Sequence, residues 1–281
     1  MKLITKKNIA ILVSFIIMIP LAFSSYMAYH HSVIYDTEML KQAEENKAKN
    51  FMDAPVEDIM YLGFKKIRSK VFQNDEIKLH KQRVTQLIEE NKQLMNGYVM
   101  FYFVFVVMIL FTYFFHIDEV FIFTIITASL ISWFVGIFAP MLTIEVFKEL
   151  PVVGHTIFKY ESKSIWATIK TLWEIDRYFI AVMVGLFSVI IPIIKTIAVY
   201  FSLFYKKSIK VMNFIGKWSM ADVFIVALLL TNLTLNTDEY TDAEMQIALY
   251  FFAMYVIFSI IGTYVAHKHV LELNQLQSDK L

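Results

Sequence analysis

The chain of 281 residues contains no cysteine. That absence excludes disulfides, zinc ribbons, iron–sulfur clusters and thiol nucleophiles together. Glycine and proline are scarce, at 7 and 5 residues. An excess of charge of one sign is missing too. Lys and Arg number 26 against 25 Asp and Glu, for a net charge of +1, so the chain as a whole is not built to bind nucleic acid. There is no GxSxG, no HExxH and no Walker loop, and the Ser, His and Asp residues are scattered. The expectation is a protein that is not an enzyme and uses no cofactor and no metal.

What the sequence has in quantity is apolar surface. Hydrophobic residues make up 58%, phenylalanine alone numbers 26, and the mean hydropathy is +0.56. A soluble domain rarely reaches such values, because its surface must be polar. The apolar runs are about 20 residues long and do not alternate, which fits helical spans rather than barrel strands. The expected fold class is an all-α polytopic membrane protein. It should have about six transmembrane helices, a small extracytoplasmic β element and a charged helical hairpin.

In chain order, Lys2, Lys6 and Lys7 precede a first apolar run, Ile9–Tyr29. Its length, and the lack of a small-x-small site before His30, favour a retained anchor over a cleaved signal peptide. Pro20 should kink it. Asp36–Asn96 is charged but balanced, with eleven acidic and eleven basic side chains. It predicts a helix starting at Pro55, a turn at Gln73-Asn74-Asp75, and a second helix from about Asp75 into the next span. On that helix Ile77, Val84, Leu87, Ile88 and Leu94 share a stripe with His80 and Asn91. This hairpin either packs on itself or docks a partner.

Spans two and three, Gly97–Phe115 and Val120–Ala139, are separated only by His116–Glu119, a solvated turn rather than a metal cluster. Pro140–Tyr178 is a polar excursion. Leu142, Ile144 and Val146 alternate as in a strand, and Thr156–Tyr160 offers its return. Ser164 then caps a short amphipathic helix whose apolar face carries Ile165, Trp166, Ile169, Leu172 and Trp173. This face suits the membrane boundary or the small sheet. Span four is Phe179–Phe204, span five Met220–Leu235 and span six Ile247–Ala266, with an acidic loop at Asn236–Gln246. The basic N-terminus and the four lysines of Tyr205–Lys217 place both termini in the cytoplasm. The hairpin, the excursion and the acidic loop then lie outside.

Ionisable groups within membrane spans default to a functional hypothesis. Lys195 lies nine residues from Phe204, within reach of snorkelling or of a carbonyl freed by Pro192. Asp222 stands three residues after Ser219, the spacing of a helix cap, and close enough to the membrane to pair with Lys195. Ser188, Thr231 and Asn232 are supporting polar residues, suited to helix packing or to a polar path. Trp218, with Trp166 and Trp173, is of interfacial type.

The segment Trp218-Ser219-Met220 followed by Asp222-Val223-Phe224, and the upstream Ser188, Pro192 and Lys195, resemble the signature of the paraquat-inducible protein A family. Pro140-Met141-Leu142, Ser164-Ile165 and Leu172-Trp173 match more loosely. The resemblance covers about Val120–Lys268. It implies three parts: an N-terminal two-span region (1–119), with the hairpin at 36–96; a four-span module (120–268); and a tail (269–281). It further implies a bacterial inner-membrane protein that handles membrane lipids beside a periplasmic mammalian-cell-entry (MCE) domain partner. Ser188, Lys195, Ser219 and Asp222 are the polar residues it carries over. Unlike the better-known members, this chain has one such module and no zinc ribbon.

Three functions follow. The first is passage of lipid through a lateral cleft opening to the outer side, with the Lys195–Asp222 pair coupled to it. The second is a membrane sensor or scaffold that uses the hairpin. The third is a proton-coupled small-solute transporter, which the lack of an inverted repeat disfavours.

Overall fold

A computed structural model describes residues 2–48, 70–115, 118–150, 154–205 and 241–278. Its helices are α1 (Lys2–Ala48), α2 (Lys70–Thr112, closed by a 3₁₀ turn at Tyr113–Phe115), α3 (Asp118–Phe138), α4 (Ile165–Glu174), α5 (Tyr178–Gly185), α6 (Ile191–Tyr205) and α7 (Ile247–Ser278). The strands are β1 (Leu142–Leu150), β2 (Gly154–Lys163) and β3 (Thr241–Met245). Five helical segments among the described residues are long and apolar enough to cross a bilayer: those in α1, α2, α3, α5–α6 and α7. The protein is an all-α polytopic membrane protein with a small sheet. Met220–Leu235, the expected fifth span, lies outside the described residues, as does the helix expected at Pro55.

The bundle is centred on α3 and α7. Most of each is buried, whereas the spans in α1, α2 and α5–α6 leave most of their surface outward. Ile122, Ile125 and Ala128 of α3 meet Phe251, Phe252, Tyr255 and Phe258 of α7 in one core. Apolar side chains gain little by leaving lipid for protein, so association here depends on close packing and on interhelical hydrogen bonds. Gly136 supplies the first: a Cβ there would lie 2.9 Å from the backbone of Phe252. Hydroxyls supply the second. Ser129 donates to the Tyr255 carbonyl at 3.3 Å, and Tyr102 of α2 meets Ser132 at 2.6 Å.

The two longest helices outrun the membrane. At about 1.5 Å per residue, α1 and α2 are roughly 70 and 65 Å long, about twice a hydrocarbon core of about 30 Å. The sequence suggested a kink at Pro20 and a turn at Gln73-Asn74-Asp75. Pro20 lies inside α1, whose helix continues past it, while α2 starts at Lys70 and passes straight through the site of the expected turn. Three polar residues do not end a helix that a partner supports along its length, and α2 lies against α1. Asn91 links the pair: its amide donates to the Leu87 carbonyl at 2.7 Å, and its carbonyl oxygen accepts from His31 Nδ1 at 2.9 Å.

Beyond the bundle, β2 and β3 flank β1 in an antiparallel sheet, in the order β2-β1-β3. The alternation at Leu142–Val146 and the return strand were legible in the sequence. The acidic stretch before span six was not: it contains β3, paired to β1 from Leu142↔Met245 to Val146↔Thr241. The sheet does not stand alone. Tyr35, Met39 and Ala43 of α1 and Ile88 of α2 enclose Ile157 and Tyr160 of β2. The Tyr160 hydroxyl donates to Asp36 at 2.7 Å, and Lys92 of α2 reaches Glu244 of β3 at 3.4 Å. Burial, reinforced by the Asp36 carboxylate, pushes the Tyr160 hydroxyl far above the usual phenol range, so it stays a donor. The described ends of the 36–96 segment, in α1 and α2, therefore pack on each other and on the sheet.

Three substitutions test this packing by thermal unfolding in detergent. Gly136→Ala should destabilise by about 1–3 kcal/mol, because the new methyl meets backbone rather than a movable side chain. Gly97→Ala, with nothing within 4 Å, should not. Tyr160→Phe leaves a half-buried carboxylate short of a donor and should cost about 1–3 kcal/mol. An unchanged midpoint for Tyr160→Phe would remove the hairpin–sheet bond from the account.

Candidate functional site

Proline sets the local geometry of the α5–α6 span. Pro192 has no N–H, so the carbonyl four residues earlier, that of Ser188, loses its usual helical partner. The helix widens just before it. Leu186–Ile190 form a π-helical turn in which the Ile191 N–H reaches back to the Leu186 carbonyl. The orphaned Ser188 carbonyl then receives the indole N–H of Trp133, from α3, at 2.9 Å. The sequence offered Lys195 as a donor to the carbonyl that Pro192 frees; in the structure that donor is Trp133. The carbonyl of Pro192 itself accepts from Thr196 at 2.9 Å.

Ser188, Pro192, Lys195 and Val199 follow one another at steps of four, three and four, which puts them on one helix face. All four are buried, Lys195 to 4% exposure. The neighbouring Ile190, Ile193, Ile194 and Ile197 are exposed and form the outward face. Lys195 therefore points into the protein and does not snorkel along lipid, and it takes part in contacts within the chain. Among the described residues the Ser188 hydroxyl is the one buried side-chain polar atom without a hydrogen-bond partner. A second link lies lower on the same helix pair: the Thr127 and Tyr200 hydroxyls meet at 2.9 Å beside the Phe123 ring. The α5–α6 span is thus pinned to α3 at two levels, with a lysine and a serine facing inward between them.

The amphipathic helix forms as expected. Ser164 caps α4, its side chain accepting from the Ala167 N–H at 3.1 Å. Ile165 is buried in the bundle core, while Trp166 and Trp173 are exposed. The helix rests on α3 and α5 rather than on the sheet. Trp166 touches Phe138, and Trp173 meets Tyr178 edge-on. Exposed tryptophans on a helix lying at the end of two spans suit a membrane boundary.

Of the polar residues singled out in the sequence, the structure brings Ser188, Pro192 and Lys195 onto one inward face. Trp218, Ser219, Asp222, Thr231 and Asn232 lie outside the described residues. Trp133, Thr127 and Tyr200 were missed. A signal for Trp133 existed: a proline-freed carbonyl in a membrane needs a donor from elsewhere, and an indole N–H is donor only. Among the described residues no group of three His, Asp or Glu side chains could hold a metal ion.

These features define a class: a multi-pass helical membrane protein whose central span pair is bordered by a proline-broken helix carrying an inward lysine. Residues 121–271 match the family model described as paraquat-inducible protein A. The match covers more than half of the chain, and the chain belongs to the paraquat-inducible protein A family. It takes in α3 through most of α7, including the whole lysine-bearing span, and leaves α1 and α2 outside. No curated protein and no solved structure matches the chain.

The carbonyl exchange can be tested by double substitution. Trp133→Phe should cost about 1–3 kcal/mol in detergent unfolding, by leaving the Ser188 carbonyl without a donor in an apolar setting. Pro192→Ala restores a backbone N–H and should recover part of that loss in the Trp133→Phe background. Strict additivity of the two would show that they do not share the carbonyl.

Proposed function

We propose that this chain is a non-enzymatic, inner-membrane component of an envelope lipid-trafficking system, passing lipid to or from a periplasmic partner of the MCE-domain type. The observation that carries it is Lys195: a cation buried on the inward face of a proline-containing membrane helix, two turns from a serine hydroxyl with no partner. Keeping an ammonium inside a bilayer is costly, and bundles that do so use it for transport or coupling more often than for packing. Membership of the paraquat-inducible protein A family supports an envelope role. Asp222 is the proposed counter-ion, and the pair couples a protonation or conformational step to lipid passage.

In this reading both termini are cytoplasmic, and the sheet with the hairpin ends faces the periplasm. The His116–Glu119 turn lacks basic residues of its own. Its neighbour supplies them: His269 of α7 comes within 4.0 Å of Glu119, next to His267 and Lys268. Lys268 at that end of the bundle agrees with a cytoplasmic side.

A second reading is favoured by the hairpin. Helices α1 and α2 extend far past the bilayer and are tied to the family module's own sheet through Tyr160–Asp36 and Lys92–Glu244. A scaffold would present such a rigid head to a partner.

The double variant Lys195→Met with Asp222→Asn separates these roles, since it removes both charges and leaves no lone buried ion. Lipid transfer between reconstituted vesicles should fall by about tenfold or more, the scale of one lost charge interaction, while the protein stays folded and complexed. Unchanged transfer would overturn the coupling role. Transfer that survives while the partner complex is lost on deleting residues 36–96 would favour the scaffold.

A further inference from the structure

A groove of about 380 Å³ opens sideways between α1 and α3. It lies in the half of the bundle opposite the sheet, since its wall comes from the first third of α1 and the first half of α3. Ile11, Phe15 and Met18 form one wall, and Val120 and Phe123 the other. The hydroxyls that reach it from α3 are already bound within their own helix: Thr124 donates to the Val120 carbonyl and Thr127 to that of Phe123. Ser14 of α1 also lines it, and the rest of the interior asks nothing of a polar ligand. From Glu119 to Thr127 the groove runs about 12 Å along the helix axis, most of the depth of one leaflet at about 15 Å. A slot this long, this apolar and open to the side fits an extended acyl chain and not a compact solute.

The mouth is not apolar. Glu119 stands there with a side chain 46% exposed, and His269 of α7 lies 4.0 Å from its carboxylate. A carboxylate at the headgroup level repels an anionic lipid and attracts an ammonium. We infer that the α1–α3 groove is a binding site for one acyl chain of an amine-bearing phospholipid, with Glu119 holding the headgroup ammonium. The inference deepens the lipid-trafficking reading and rests on it. It also gives α1, which lies outside the family match, a part in holding the acyl chain. The groove takes lipid from the leaflet on the Glu119 side, not from the sheet side where the sequence suggested a cleft.

The test uses the full chain in vesicles of equal phosphatidylethanolamine and phosphatidylglycerol, extracted in mild detergent and weighed by native mass spectrometry. The wild type should retain phosphatidylethanolamine in preference to phosphatidylglycerol. Glu119→Gln should reduce that preference about tenfold, the scale of one charge-assisted hydrogen bond. Ile11→Trp, which fills the groove from a partly exposed position, should abolish retention of both lipids. Equal retention of the two lipids by the wild type, or an unchanged ratio in folded Glu119→Gln, overturns the proposal. So does unchanged lipid in Ile11→Trp, which decides the matter if Glu119→Gln does not fold. A dimer in the wild type that Ile11→Trp dissolves would assign the groove to a second copy of the chain and likewise overturn it. Vesicle-to-vesicle transfer keeps the two readings apart. Selective retention without any transfer sinks the transport function and leaves the groove. Full transfer by an Ile11→Trp protein that binds no lipid sinks the groove and leaves transport.

Discussion

A bilayer core supplies no water, so each carbonyl, hydroxyl and ammonium placed in it must find its partner within the protein. Much of this structure can be understood from that demand. Buried serines and threonines in the spans mostly return their hydroxyls to a carbonyl three or four residues back, as Ser24 and Ser25 both do to Leu21. Where a helix is broken, the partner must come from a neighbour, and the Trp133 indole on the Ser188 carbonyl is that case. The same bond fixes how the α5–α6 span sits on α3, and with it where Lys195 points. A proline and a tryptophan fifty-nine positions apart in sequence thus orient a charged residue that the membrane makes expensive.

The scaffold behind this is the α3–α7 pair. Its close approach at Gly136 and Phe252 is steric, and its hydroxyl bonds are few, which is how helices associate when lipid competes for every apolar contact. Outside the membrane the rules change. There the hairpin ends and the sheet are held by a small apolar cluster around Tyr35 and Tyr160, by a half-buried hydroxyl–carboxylate bond, and by an exposed ion pair of small worth. The head and the bundle are continuous through α1 and α2, so a force on one is transmitted to the other along unbroken helix.

How much was legible in advance follows from which interactions are local. Spans are local: length and hydropathy located α3, the α5–α6 helix and the membrane part of α7. The Ser164 cap and the alternation of β1 are local too, and both are present. The turn at Gln73-Asn74-Asp75 failed because Gln73 is itself a good helix former and a long packed partner outweighs two weak ones, Asn74 and Asp75. The strand β3 escaped notice because five residues rich in acid carry no strand signal of their own; it exists only because β1 offers a free edge. Lys195 was visible as an anomaly, but its direction was not, since a lysine near a span's end can face lipid or protein equally well.

The sequence by itself determined the membrane class, the spans among the described residues, the absence of thiol chemistry, and, through Ser188, Pro192 and Lys195 with the tryptophan-led motif downstream, the family. These rest on composition and on short-range order. Only the tertiary structure decided that Lys195 faces inward, that Trp133 takes the carbonyl that Pro192 frees, that α1 and α2 clasp the sheet, and that Glu119 stands at the mouth of an apolar groove. Each of these depends on residues brought together from distant spans, and the spacing of residues along one helix cannot reveal which neighbour will fill the space beside it.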